Sequence, residues 1–249
     1  MCGIVGVVGK PAREVVLNGL KNLEYRGYDS AGIYLNDLQG HEYLTKAVGR
    51  IANLEEKLTP EEEGTTGIGH TRWATHGHPT VENAHPHYSE DGRFYLVHNG
   101  VIENYLELKE KYLAGVHFKS ETDTEVVVQL VAKLAKEENL DAFSAFKKAL
   151  KLVKGSYAFL LVDDTKPDHI YIAKNKSPMM LGLGDGFNII ASDAISVLDQ
   201  TKTFIALNDG DCADVTKDSI EIQDYDGNKV EREAKVLDID PNAASKGTY

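Results

Sequence analysis

The stretch of sequence that decides the fold class is DTEVVVQLVAKLAKEENLDAFSAFKKALKLV, residues 123–153. Apolar side chains recur at helical spacing in both of its halves, first at Val127, Leu130, Val131 and Leu134, and then at Phe143, Phe146, Leu150 and Val153. Gly155 follows, as expected just beyond the end of a helix. The stretch therefore predicts two helices in direct succession.

Short runs of β-branched and aromatic residues, separated by Gly, Asn and Asp, lie on both sides of these helices. They predict strands over Ile4–Val8, Ala31–Leu35, Phe94–His98, Tyr157–Val162, Ile170–Ala173, Phe187–Ala191, Phe204–Leu207 and Ser219–Gln223. Further helical patterns centre on Val16, Leu20 and Leu23 and on Tyr105, Leu108 and Tyr112. Because helices and strands come in blocks rather than in alternation, a layered α+β fold fits better than a doubly wound sheet.

The composition narrows the class of protein. A length of 249 residues with 42% hydrophobic residues allows a sizeable core, and the formal charge is -12. No basic stripe is present to follow a phosphate backbone, so we do not expect a nucleic-acid partner. The apolar start, Ile4–Val8, is too short for a signal peptide or a membrane span, which predicts a cytoplasmic protein without a membrane partner. Cys2 and Cys212 lack a metal-type spacing, and Cys212 is predicted to be buried.

Cys2 is the candidate nucleophile. Cysteine is a small residue that permits removal of Met1, and Cys2 would then carry a free α-amine. That amine has a reference pKa of about 7.7–8.0 and a thiol about 8.5, so one residue can supply both the nucleophile and its base near neutral pH. From position alone, a buried strand residue is the commoner interpretation of Cys2, so other residues have to decide.

A polar segment, GHTRWATHGHP at residues 69–79, is predicted to be a recognition loop. Arg72 offers a planar fork for a carboxylate, and Trp73 is the only tryptophan in the chain. A surface ion pair for Arg72 and a core-filling role for Trp73 remain the alternatives.

Two further motifs can be explained by structure or by chemistry. In HNGVIEN, residues 98–104, Asn99-Gly100 predicts a turn, and the Asn99 amide with the Gly100 N–H could also stabilise an oxyanion. In SETDTEV, residues 120–126, Thr122 and Glu125 match a helix capping box. Asp123 in that first helical turn could bind the ammonium of an amino acid whose carboxylate is held by Arg72.

Histidines crowd one part of the chain, and two pairs have His-x-His spacing: His70, His76, His78, His85 and His87. Such pairs occur in metal sites, which makes a metallohydrolase an alternative function. No carboxylate-rich or cysteine cluster completes an obvious ligand set, and the neighbouring prolines and glycines suggest loop geometry instead.

Five segments taken together resemble the glutaminase domain of the glucosamine-6-phosphate synthase family, a class II glutamine amidotransferase domain. They are CGIVG (residues 2–6), LEYRGYDSAG (23–32), HTRWATHG (70–77), HNGVIEN (98–104) and SETDTEV (120–126). Their order and approximate spacing match, and the resemblance covers essentially the whole chain.

The resemblance implies a four-layer αββα N-terminal-nucleophile hydrolase fold with two facing, mainly antiparallel sheets. It also implies a role for each site residue: Cys2 as nucleophile with its own amine as base, Asn99 and Gly100 as oxyanion hole, Arg26 and Gly27 in positioning the terminus, Arg72, Thr75, His76 and Asp123 in holding L-glutamine, and Trp73 in a mobile gating loop. His85 would lie beside the site. No cofactor and no metal are implied.

The implied activity is hydrolysis of glutamine to glutamate and ammonia through a Cys2 γ-glutamyl thioester. Residues 1–239 would form the glutaminase domain, and residues 240–249 would begin a linker to a sugar isomerase region that is absent here. In the family that region uses the ammonia to convert fructose 6-phosphate to glucosamine 6-phosphate, and the full-length enzyme is expected to be a homo-oligomer. A non-catalytic glutamine-binding module is a further alternative.

Overall fold

The computed structural model describes residues 2–73 and 77–238. Its strands are β1 (Gly3–Val8), β2 (Ser30–Asn36), β3 (Glu42–Val48), β4 (Thr66–Arg72), β5 (His87–Tyr88), β6 (Phe94–Ile102), β7 (Gly155–Asp163), β8 (Ile170–Asn175), β9 (Met180–Leu183), β10 (Asn188–Ala191), β11 (Thr203–Ala206), β12 (Cys212–Val215), β13 (Ile220–Gln223) and β14 (Ala234–Val236). Its α-helices are α1 (Arg13–Lys21), α2 (Ile51–Lys57), α3 (Tyr105–Tyr112), α4 (Asp123–Glu137) and α5 (Ala142–Leu152).

The strands form two sheets. One has eight strands in the order β14-β11-β9-β10-β1-β4-β2-β3, and the other has six in the order β13-β12-β8-β7-β6-β5. Neighbouring strands pair antiparallel in both sheets. All eight predicted strands and the two successive helices are confirmed.

The core consists of three apolar layers, which arrange the molecule as helix, sheet, sheet, helix. Strand β1 explains why: its Ile4 and Val8 pack between the sheets, whereas Val5 and Val7 belong to the apolar layer that also contains the buried faces of α1 and α2. A strand covered on both faces has to be apolar throughout, as this one is. The third layer joins the six-stranded sheet to α3, α4 and α5. The predicted four-layer αββα architecture is therefore confirmed.

Helix α4 begins as predicted, but its cap differs from a capping box. The Thr122 hydroxyl accepts the Glu125 N–H at 3.3 Å, which is one half of the motif. The Glu125 carboxylate accepts instead from the N–H groups of Lys119 and Ser120, at 3.0 and 2.6 Å. It therefore fixes the segment before the helix, and Asp123 is the first helical residue.

The sequence interpretation was wrong about residues 69–72, which form the end of strand β4 and not a loop. This strand pairs with β1 on one side and β2 on the other. Its glycines face helix α1, where a β-carbon on Gly69 would lie 2.4 Å from Val16 Cγ1. Glycine thus packs here as a core residue, which a hydrophobic pattern does not reveal.

The turn predicted at Asn99-Gly100 is also absent, since both residues lie within β6 and pair with β7. Gly100 has a φ of 123° inside this strand, and a β-carbon there would lie 2.2 Å from the Ser156 carbonyl oxygen. Only glycine fits this combination of backbone angle and close approach.

In residues 2–73 and 77–238, none of the helices has the length and apolar character needed to cross a bilayer.

Candidate active site

Cys2 lies at the entry to the central strand of the eight-stranded sheet. The pairing of Gly3 with Thr71 brings it beside the end of β4. There its sulfur accepts the Trp73 N–H at 3.2 Å and lies 3.6 Å from the Trp73 carbonyl oxygen, to which the thiol donates. The N–H of Ile4 donates to Ser192 Oγ at 3.0 Å, so the first residues of the strand are held in place.

The environment of Cys2 favours its protonated form. Burial raises the pKa of the Cys2 thiol, and the Trp73 N–H and the charge of Arg72 offset part of that rise. The thiol is therefore neutral near pH 7 and needs a base in order to act as a nucleophile.

Asn99 brings an amide donor to the same place. Its Nδ2 donates to the Cys2 carbonyl oxygen at 3.2 Å, while its Oδ1 lies 3.0 Å from His70 Nε2. An amide nitrogen carries two hydrogens, so the second N–H of Asn99 remains for another acceptor. Gly100 and Cys2 line the same small cavity. The two residues predicted to supply oxyanion donors, Asn99 and Gly100, thus both lie next to Cys2.

Asp123 and Arg72 line the cavity with opposite charges. One oxygen of Asp123 accepts the Ile102 N–H at 2.8 Å, which aims the carboxylate from the first turn of α4. Arg72 is 3% exposed, lies 4.0 Å from Asp29 and donates to the carbonyl oxygens of Gly77 and His78 at 3.2 and 3.0 Å. It is thus a buried guanidinium that organises backbone around the site, and not the surface ion pair considered from sequence.

Gly27 lies against the Trp73 ring, and Arg26 precedes it in the chain. The Arg26 guanidinium forms an ion pair with Asp193, beside the Ser192 that anchors β1. Gly27 has a φ of 126°, and a β-carbon there would lie 2.5 Å from the Trp73 ring. Ser192 and Asp193 were missed from sequence, because nothing in their local pattern distinguishes them from an ordinary Ser-Asp turn.

The histidines of this segment that the structure describes do not form a convergent ligand set. His70 and His85 stack face to face, with ring centroids 3.9 Å apart. His85 Nδ1 accepts the His98 N–H at 3.2 Å, and His87 Nε2 lies 2.9 Å from Thr122 Oγ1. Within the described ranges no three His, Cys, Asp or Glu side chains come together as a metal site. The metallohydrolase alternative is not favoured by this arrangement.

The cavity enclosed by these groups is small, with a volume of about 20 Å³. That is the space of one water, so an amino acid enters only if the surrounding side chains move apart. A larger cleft of about 800 Å³ lies near Lys46 and Tyr88. Its described lining residues include no Cys or Ser, and the hydroxyl of its Thr45 donates to Glu62 at 2.7 Å. The predicted contacts of Thr75 and His76, and the predicted linker at residues 240–249, lie outside the described residues.

The facing sheets and the thiol at the start of a central strand define a class, the α+β domains of the N-terminal-nucleophile hydrolase fold. Glutamine phosphoribosylpyrophosphate amidotransferase from B. subtilis, solved in complex with ADP and GMP, shares this fold, with a TM-score of 0.78 and 24% identity over 92% of this chain and 50% of that one.

Sequence comparison gives the family. Residues 70–199 match the family model described as a glutamine amidotransferase domain, and the chain belongs to that family. It is 57% identical over 250 residues to glutamine–fructose-6-phosphate aminotransferase (isomerizing) of Streptococcus pneumoniae serotype 4, covering 100% of this chain and 41% of that protein. The protein of the same name from Lactiplantibacillus plantarum is 57% identical over 251 residues, with 100% and 42% covered. The chain thus spans less than half the length of these relatives.

Proposed function

We propose that this domain hydrolyses L-glutamine to L-glutamate and ammonia, with Cys2 as the nucleophile. The observation that carries the proposal is the contact of Asn99 Nδ2 with the Cys2 carbonyl oxygen at 3.2 Å, since it brings an oxyanion donor to the nucleophilic residue. Membership of the glutamine amidotransferase family supports the choice of substrate.

The first step is the attack of the Cys2 sulfur on the side-chain carboxamide of glutamine. The thiol proton passes to the α-amine of Cys2, and the carbonyl oxygen becomes an oxyanion that accepts from Asn99 Nδ2 and the Gly100 N–H. The C–N bond then breaks, the nitrogen takes up the proton, and ammonia leaves. A water molecule adds to the resulting γ-glutamyl thioester, and cleavage of the C–S bond releases glutamate and restores the thiol.

We assign the base to the terminal amine, since the two described imidazoles that line the cavity with Cys2, those of His85 and His98, already accept or donate hydrogen bonds. Both ring nitrogens of His98 are hydrogen bonded, to Thr124 Oγ1 at 2.8 Å and to the Ser156 carbonyl oxygen at 3.2 Å. His85 Nδ1 is occupied by the His98 N–H. The proposal therefore includes removal of Met1, since the nitrogen of Cys2 is otherwise an amide without a lone pair for a proton.

Specificity follows from the two charged groups of the cavity. Asp123 binds the α-ammonium of glutamine, and Arg72 binds the α-carboxylate, since both side chains line the cavity that Cys2 also lines. A substrate that lacks either group cannot make one of these two charged contacts, which weakens its binding relative to glutamine. Asparagine is one methylene shorter and does not reach the sulfur from these anchors. We assign Thr75 and His76 to the same substrate contacts, Trp73 to the entrance, and Arg26 and Gly27 to positioning of the terminus.

The names of the relatives extend the proposal to the whole protein. Residues 1–239 are the glutaminase domain, and residues 240–249 lead into a sugar isomerase region. That region uses the ammonia to convert fructose 6-phosphate to glucosamine 6-phosphate, in a cytoplasmic homo-oligomer.

The test compares two cysteine variants in a glutamate-release assay. Cys2→Ala should abolish hydrolysis while glutamine still binds, as measured by calorimetry. Cys212→Ala, which changes the other cysteine in the buried strand β12, should remain active. Undiminished hydrolysis by Cys2→Ala would overturn the proposal. If a processed wild-type domain bound glutamine without turnover, the non-catalytic binding module would replace it.

A further inference from the structure

His70 makes a contact that the proposed chemistry does not yet use. Its Nε2 lies 3.0 Å from Asn99 Oδ1 and also 3.0 Å from the His98 carbonyl oxygen. His70 lies on β4 and Asn99 on β6, so this contact joins the two sheets at the site. The side chain of His70 is fully buried, and it therefore touches Asn99 but not the substrate.

The His98 carbonyl oxygen determines which nitrogen of His70 carries the proton. A carbonyl oxygen only accepts, so Nε2 must be an N–H, and Nδ1 is then the bare nitrogen of the neutral ring. In agreement, His70 Nδ1 has no hydrogen-bond partner in the part of the chain that the structure describes. Burial lowers the pKa of His70 to about 3, with the nearby His98 adding to the effect, so the ring stays neutral at working pH.

The tautomer of His70 in turn determines the orientation of the Asn99 amide. The N–H on Nε2 is shared between two acceptors, the His98 carbonyl oxygen and Oδ1 of Asn99, so the oxygen of the Asn99 amide faces His70 and its Nδ2 points toward Cys2. The flipped amide would bring two N–H groups together at His70 and present a lone pair to the developing oxyanion. Free rotation of the amide would therefore replace a stabilising donor by a repulsive acceptor.

We propose that His70 is a positioning residue for the oxyanion hole, which keeps the Nδ2 hydrogens of Asn99 directed at the reacting oxygen. This inference rests on the proposed glutaminase function. The fold holds the imidazole firmly, because the ring of His85 stacks on it at an interplanar angle of 11°. Gly32 allows that stack, since a β-carbon there would lie 1.9 Å from the His85 carbonyl oxygen.

The test uses His70→Leu, which removes the N–H, and His70→Gln, whose amide NH₂ can stand in for Nε2–H. His70→Leu should lower kcat on the order of 10- to 100-fold, less than the 10²- to 10³-fold typical for loss of an oxyanion donor, with KM nearly unchanged. His70→Gln should recover most of the loss. His87→Gln is the matched control, because His87 is equally buried in the cluster but contacts Thr122 and not Asn99. It should leave kcat unchanged.

Two readouts separate positioning from a general structural effect. The γ-aldehyde analogue of glutamine forms an adduct with Cys2 that carries the oxyanion, so His70→Leu should weaken its binding by the same factor as kcat. Glutamine binding to a Cys2→Ala, His70→Leu protein should equal that of Cys2→Ala. In an Asn99→Ala background, His70→Leu should cost no more than about twofold, since the interaction it serves is already gone.

Fully additive losses in that cycle, or a kcat of His70→Leu equal to wild type, would overturn the inference while leaving the glutaminase assignment intact. Should His70→Leu fail to fold, as shown by its melting curve, the comparison of His70→Gln with His87→Gln and the same cycle built on His70→Gln decide the question. Activity of Cys2→Ala would instead overturn the proposed function itself.

Discussion

The Trp73 ring lies directly on the α-carbon of Gly27, where a β-carbon would be 2.5 Å from the ring. The backbone of the same tryptophan holds the Cys2 sulfur through its N–H at 3.2 Å. A side chain at position 27 would therefore push away the residue that positions the nucleophile.

Gly27→Ala should lower kcat/KM for glutamine hydrolysis on the order of 10- to 100-fold, because small displacements of reacting groups carry penalties of this size. Trp73 is the only tryptophan, so intrinsic fluorescence reports its displacement without interference. The measurement pairs steady-state kinetics with the emission spectrum of the same samples.

Gly40→Ala is the control for this experiment. Gly40 also has a positive φ, 92°, but nothing lies within 4 Å of a β-carbon there. Gly40→Ala therefore introduces backbone strain without a steric clash. Its rate of glutamine hydrolysis and its Trp73 emission spectrum should both match those of the wild type. Wild-type kinetics in Gly27→Ala would contradict the positioning of Cys2 by Trp73.

Asp123→Asn should raise KM for glutamine about 10- to 100-fold, the range expected for a hydrogen bond to a charged group. The amide oxygen of the variant can still accept the Ile102 N–H, so the change removes the charge and keeps the contact. Initial-rate kinetics with glutamine over a wide concentration range would measure the effect.

Asp141→Asn provides the comparison, because Asp141 caps α5 with its side chain at 2.8 Å from the Ser144 N–H and does not line the cavity. It should alter stability slightly and KM not at all. An unchanged KM in Asp123→Asn would rule out the ammonium contact assigned to Asp123.

The layered fold could be predicted because its main elements carry strong local signals. Helix α4 combines a Thr122 cap with apolar residues at helical spacing, and β1 is an unbroken apolar run. Strand β4, TGIGHTR, carries no such signal. Its glycines pack against α1 and its His70 faces the other sheet, so burial here depends on partners that are distant in sequence.

In the candidate site, too, some features have a local sequence signal and others depend on partners that are distant in sequence. Sequence motifs identified five residues that the structure brings together. Four of them line one cavity, namely Cys2, Gly100, Arg72 and Asp123. The fifth, Asn99, donates a hydrogen bond to the Cys2 carbonyl oxygen. The contacts that position them were not predictable, because Ser192 and Asp193 reach the site only through the pairing of β1 with β10. The prediction of a turn at Asn99-Gly100 was wrong, because a glycine with positive φ inside a strand and the Asn-Gly turn of a hairpin have the same sequence pattern.

Stability should fall as the pH drops below about 6.5. Burial lowers the pKa of His70, His85, His87 and His98, so they stay neutral in the folded protein while the unfolded chain takes up protons below about 6.5. The unfolded state then binds more protons, and each histidine lowers the free energy of unfolding by up to about 1.4 kcal/mol per pH unit. For His70 the loss continues to about pH 3.

Urea unfolding at pH 7.5 and pH 5 would measure this dependence, in a range above the titration of the carboxylates, whose reference pKa values are about 3.9–4.3. His87→Gln should reduce the slope by the contribution of one histidine. Equal stability at the two pH values would contradict the neutral histidine cluster.

A free amine on Cys2 should be required for activity. Two forms of the domain test this, one beginning at Cys2 after proteolytic removal of an N-terminal tag and one retaining the tag, with mass spectrometry confirming each terminus. The first should hydrolyse glutamine with a rate that rises through about pH 7–8, where the amine becomes a base, and the second should be inactive.

Iodoacetamide should inactivate the first form by alkylating one thiol, because burial raises the pKa of Cys212 to about 12 and keeps it unreactive. A chelator should have no effect. Full activity of the tagged form would assign the base to another group.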